Sequence, residues 1–156
     1  AVVSAMNKVD ELNYVLQIIP IQQGLFSIEI PENTVLNIDS EGNEKSNKLI
    51  FTYDLVRPYV AAIKRSNPVE EITKDNTLAF MVTFNEDVEN VSSSDFMSVS
   101  DATFTVAKEN DSTYLITVMG IEDFYGAVYL NIKPVNTIQD KAGNLLMNTV
   151  INVNQN

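Results

Sequence analysis

Apolar and polar residues alternate with a period of two along much of this chain, and no segment carries the longer period of an amphipathic helix. Leu78, Phe80, Val82 and Phe84 alternate with Ala79, Met81 and Thr83, the pattern of a strand with one buried face. Tyr114, Ile116 and Val118 repeat it. After Gly126 the same alternation places Val128, Leu130 and Ile132 toward a core and Tyr129 and Asn131 away from it. Shorter strands are expected over residues 59–64 and 103–107, with a closing strand over 147–153. Turn residues separate these segments at Asn67-Pro68, Asn85-Glu86-Asp87, Ser92-Ser93-Ser94 and Glu109 to Ser112. At Asp140 to Asn144 a tight turn is expected, with Gly143 at positive φ. The result is about seven or eight short strands with turns roughly every 8–12 residues, an antiparallel two-layer β-sandwich.

The pattern also repeats. Tyr14 to Asn43 and Tyr114 to Asn144 share an opening Tyr, an apolar segment, a Gly, an alternating segment, an Asn-Thr pair and a Gly-Asn turn. Tyr14 answers Tyr114, Gly24 answers Gly126, Asn33-Thr34 answers Asn136-Thr137, and Asp39 is paired with Asp140. The second copy has some fifty residues ahead of its Tyr and the first has thirteen. The domains expected are therefore 1–56, the C-terminal half of a module plus linker, and 57–156, a complete module. Three strands are expected in the first part, over 14–19, 25–30 and 48–53, leaving an open face and an open edge. Two arrangements are open: a chain that starts within a module, or a half module completed by strands of a neighbouring copy.

Composition narrows the chemistry. Cysteine and histidine are both absent from the 156 residues, which removes disulfides, thiol nucleophiles, His-dependent triads and the usual zinc sites. Twenty-one acidic residues against ten basic give a net charge of −11, which repels nucleic acid and anionic membranes. No apolar run is long enough for a helical membrane span, and membrane insertion is not expected. The opening AVVSAMNKVDEL has neither the basic start nor the apolar run of a signal peptide and no initiating Met. It reads as the start of a processed product or an excised fragment.

Arg57-Pro58-Tyr59-Val60, the run Phe80-x-Val82-Thr83-Phe84-Asn85-Glu86-Asp87-Val88, the following Asp95-Phe96 and the late Asp140-x-Ala142-Gly143-Asn144 together resemble the bacterial immunoglobulin-like tandem repeat of surface adhesins and secreted multi-domain proteins. Tyr53 to Pro58 resembles the linker between such repeats, with Arg57 where a small residue is commoner. The resemblance implies an all-β, antiparallel immunoglobulin-like β-sandwich in an extracellular stalk or adhesin. It implies a non-enzymatic structural or adhesive role, with neighbouring modules, other copies of the chain and an unknown surface ligand as partners. Two alternatives stand beside it: a filament or sheath subunit completed by its neighbour, and a carbohydrate-binding accessory module of a secreted enzyme.

The resemblance also points to calcium at the module junction. The matching carboxylates are Asp54 in the linker and Glu86 and Asp87 at the strand-end turn, with Asp39 or Asp140 in the Gly-Asn turns as further candidates. Calcium takes about six to eight oxygen ligands, which acidic turns and backbone carbonyls supply together. Against this, Asp and Asn are turn formers in their own right, and Asp39 and Asp140 are expected to cap their own turns. Asn90-Val91-Ser92 and Asn110-Asp111-Ser112 are N-glycosylation sequons, meaningful only in a secreted eukaryotic protein. Glu70-Glu71 and Glu122-Asp123 are the acidic pairs an acid–base mechanism would draw on, and Tyr125 and Tyr129 the aromatics a carbohydrate would stack on.

Overall fold

A computed structural model describes residues 1–147 of the chain; the strand expected over 147–153 lies, beyond Met147, outside the described residues. The structure is all-β, with several antiparallel sheets and, among the described residues, no α-helix. It divides into two units, Ala1–Leu55 and a second from Val56 onward.

In the second unit the alternating segments form the strands their pattern predicts. Strands β5 (Val60–Asn67), β6 (Leu78–Phe84), β8 (Thr103–Asn110) and β9 (Thr113–Met119) make one antiparallel sheet in the order β5-β6-β9-β8. Short strands β7 (Phe96–Met97) and β10 (Asn131–Ile132) pair with each other. Phe80, Val82, Phe84, Tyr114, Ile116 and Val118 from the large sheet meet Phe96, Leu130 and Ile138 in one core, with Val128 and Ile132 packed at its margin. This is the arrangement of a β-sandwich.

Segment 126–132 faces as its alternation predicts, yet only Asn131–Ile132 is strand. Its partner β7 is two residues long because a 3-10 turn, Ser93–Asp95, runs directly into it. Arg57 closes the unit at another point. Its Nε donates to Leu145 O at 2.7 Å and its Nη2 to Leu146 O at 2.8 Å, so the residue that departs from the linker pattern clamps the segment after the Gly143 turn.

The first unit holds four strands, not three. β1 (Val2–Lys8) pairs with β2 (Tyr14–Ile19), and β3 (Gly24–Ile28) pairs with β4 (Leu49–Tyr53). The extra strand, β1, escapes the sequence pattern because its register shifts between Val3 and Ala5, and such a bulge breaks the period of two. No residue of this unit belongs to the buried core, and Val15, Leu25, Val35, Leu49 and Ile50 are all more than half exposed. The Phe26 and Phe51 rings stack at 5.4 Å across β3 and β4.

Several pairings and hydrogen bonds of the first unit recur in the second at a near-constant offset. β1 and β2 pair Lys8 with Tyr14, as β8 and β9 pair Lys108 with Tyr114, 100 residues on. Lys8 Nζ reaches Glu11 at 2.9 Å, and Lys108 Nζ reaches Asp111 at 2.7 Å. Asp10 Oδ1 accepts the Leu12 amide, and Asn110 Oδ1 accepts the Ser112 amide. Farther along, the offset becomes 103. Leu36 bridges to Gly42 as Gln139 bridges to Leu145. The Asn43 amide donates to Val35 O as the Leu146 amide donates to Ile138 O.

This register corrects one sequence pairing. The partner of Asp140 is Asn37, not Asp39. Asn37 Oδ1 accepts the amides of Asp39 and Glu41, the residues two and four ahead, as Asp140 Oδ1 accepts those of Ala142 and Asn144. The turn is defined by which side chain can reach both amides, and Asp39 is a donor in it. Ser40 at φ 62° stands where Gly143 stands at φ 88°.

Candidate functional site

The acidic turn after β6 was the sequence's metal candidate. The structure distributes its residues differently. The Asp87 carboxylate pairs with Lys141 Nζ at 2.9 Å, and that ammonium also lies 3.9 Å from Asp111. The Lys141 ammonium is raised above its ordinary range by the Asp87 hydrogen bond first and by the Asp87 charge next. Asp111 is lowered, chiefly by its hydrogen bond from Lys108. Asp87 is thus part of a surface charge network. Glu86 instead comes beside Asp140, their carboxylate oxygens within 4.8 Å. Glu86 also accepts a hydrogen bond from Asn85 Nδ2 at 3.0 Å. Asp54 belongs to the first unit, one residue beyond β4.

Asp140 is buried, and its oxygens are engaged by its own turn: Oδ1 by the Ala142 and Asn144 amides at 2.8 and 2.9 Å, Oδ2 by Asn144 Nδ2 at 2.8 Å. Burial pushes its carboxyl up, but the Asn144 side chain and the turn amides outweigh that and hold it below the ordinary 3.8.

The second buried carboxylate, Asp95, stands in the sequence only as part of the Asp95-Phe96 motif. It is a hub. Its Oδ2 accepts the Ser92 amide at 2.8 Å and the Ser92 hydroxyl at 2.7 Å. Its Oδ1 accepts the Thr137 amide at 2.9 Å and the Thr137 hydroxyl at 3.3 Å, and its carbonyl accepts the Lys133 amide at 2.7 Å. Asp95 therefore ties the segment before β7 to the segment after β10. The sequence signal that marks it is the capping-box spacing of Ser92 to Asp95.

Both sequons lie at the surface. Asn90 has φ 62°, and Asn110 spends its Oδ1 on the Ser112 amide and hydroxyl. Elsewhere in the second unit a cleft of about 410 Å³ opens between the 68–75 loop and the 121–128 segment. Glu70, Glu71 and Asp75 line it together with Arg65, Phe80 and Phe124. Tyr125, next in sequence to Phe124, is 94% exposed, and Tyr129 is partly covered, its carbonyl accepting the Ser98 hydroxyl. Glu122 and Asp123 lie in the exposed turn closed by the Phe124 amide on Ile121 O. No protein-family model, curated protein or solved structure matches this chain.

Proposed function

We propose that the chain is a stretch of a tandem immunoglobulin-like array, a non-enzymatic structural and adhesive element of an extracellular surface protein. The observation that carries this reading is the duplication itself: turn caps, ion pairs and strand register recur from one unit to the other. Duplicated β modules joined in series are a design for spanning distance, because each module folds on its own core and adds length without new chemistry. In such an element the second unit bears load through the β6–β9 pairing and the Asp95 tie. Force spectroscopy on the full chain tests this. The second unit should extend in one abrupt step; gradual extension without a step removes the load-bearing role.

A filament or sheath subunit is the second reading, favoured by the apolar residues left exposed on the first unit. Calcium belongs to the proposal at the acidic turn, with Glu86 and Asp140 as carboxylates whose oxygens lie within 4.8 Å of each other. Added calcium then raises the melting midpoint and Glu86→Gln removes the gain. A midpoint indifferent to millimolar calcium and to chelator takes the ion out of the reading. For the carbohydrate-binding alternative, Phe124 at the cleft and the exposed Tyr125 are the residues a glycan array would test through Tyr125→Ala.

A further inference from the structure

We infer that the outer edge of β2, with the face bearing Tyr14, Leu16 and Ile18, is the docking site for the front half of an immunoglobulin-like module, a segment with the chemistry of Val56 to Ser100 of this same chain. The inference rests on the repeat reading proposed above and names the partner of its open half.

The duplication identifies the occupant. β9 is an inner strand: β8 lies on one side and β6 on the other, with Leu78 opposite Val118 and Thr83 opposite Thr113. β2 is its counterpart, with β1 standing where β8 stands and Ala5–Lys8 paired in the register of Thr105–Lys108. Yet β2 belongs to a sheet of two strands, and the side where β6 would lie carries no strand among the described residues. The side chains agree with the backbone. Tyr114, Ile116 and Val118 lie in a core that draws Phe80, Val82, Phe84 and Phe96 from ahead of them and Leu130, Ile138 and Leu146 from behind, whereas Tyr14 is 53% exposed, Leu16 38% and Ile18 half-buried. An unpaired inner edge and an uncovered core face on one strand ask for one strand with both a matching register and an apolar inner face. β6, with Phe80, Val82 and Phe84 on one side, is such a strand.

The first unit also shows what the occupant need not bring. Thr137 takes its amide bond from Asp95 in the front half, but Thr34 takes its own from Asn43 Oδ1 at 2.8 Å, and that oxygen holds the Val35 amide as well. The loop after β3 is closed from within, so docking is carried by the β2 edge and its apolar face.

A second copy of Val56 to Ser100 fused directly ahead of Ala1 provides the test, since the 100-residue offset makes Ala1 the successor of Ser100. Hydrogen exchange at the Tyr14–Ile19 amides should slow by about a hundredfold or more relative to the unmodified chain. Leu16→Lys in the fused chain should abolish that gain and leave the Thr113–Met119 amides unchanged. Amides that stay labile in a fused chain whose second unit is folded overturn the inference while leaving the force measurement, and the repeat reading, standing. If the added segment disturbs folding, a peptide of residues 76–86 added to the unmodified chain should perturb the same six amides, and no perturbation overturns the inference. Protection of Tyr14–Ile19 that grows with concentration in the unmodified chain assigns the edge to another intact copy and overturns it too.

Discussion

At the scale of single residues, two buried aspartates divide the structural labour of the second unit. Asp95 accepts four side-chain-directed bonds from Ser92 and Thr137, and both partners lie in loops that hold no ladder of their own there. Asp95→Ala removes a buried charged acceptor from half-buried Ser92 and exposed Thr137 and should cost about 1.5–3 kcal/mol in urea unfolding, the range of hydrogen bonds to a charged group. Asp95→Asn keeps one acceptor oxygen and should lose about half as much; equal losses would mean that the carboxylate is not the tie. Asp140 is a different case, because a matching turn in the first unit does without a carboxylate: Asn37 holds its two amides with a neutral side chain. The Asp140 carboxyl is lowered in the folded state, so the unfolded chain takes up its proton first as pH falls. Its contribution is present above the unfolded value and is lost as pH drops through the folded one. Asp140→Asn should therefore cost about 1 kcal/mol at neutral pH and flatten the stability curve below about pH 4. An unchanged acid limb would place the acid sensitivity elsewhere.

At the scale of elements, the same alternation produces a buried strand in one unit and an open one in the other. Ile116 and Leu16 occupy equivalent positions on β9 and β2, but Ile116 is fully buried. Ile116→Ala should cost about 2–5 kcal/mol, the price of a cavity in a closed core, and Leu16→Ala should stay within about 0.5 kcal/mol. Comparable losses would show that the first unit buries Leu16 in solution. The comparison also explains what the sequence reveals. Alternation locates β6 to the residue and marks the buried positions of β9, while an apolar run over 14–19 marks β2. β1 is hidden by its bulge, although the shared Lys-x-Asx-acid spacing of Lys8 to Glu11 and Lys108 to Asp111 marks it once the offset is extended upstream. The cap at Asn37 is hidden because Asp39 and Gly42 imitate the later motif two residues out of step. Glu86 and Asp87 are adjacent in sequence, yet neighbouring residues diverge: Glu86 comes beside Asp140 and Asp87 pairs with Lys141. The hub at Asp95 depends on Thr137, forty-two residues later, and a contact between distant loops leaves no local pattern to read.

At the scale of the whole molecule, the two units share a charge sign and differ in how they are held. Ala1–Leu55 contains 8 of the 21 acidic and 3 of the 10 basic residues, a net −5, which leaves −6 of the total −11 for the rest. Each unit therefore repels itself, and only the second has a core to set against that repulsion. The Lys141 network with Asp87 and Asp111 opposes the repulsion locally, but it is exposed and spans three of many charges. Raising ionic strength from about 0.01 to 0.15 M shortens the screening length from about 30 to 8 Å, which weakens repulsion between distant acids more than the contact pairs. The urea midpoint of the second unit should accordingly rise with salt. In the same samples Leu78–Phe84 and Thr113–Met119 should exchange their amides slowest, and the Val2–Lys8 and Tyr14–Ile19 hairpin should exchange quickly at either salt, since screening supplies no buried face. A midpoint that falls with salt would make the Lys141 network the dominant electrostatic feature and the net charge a bystander.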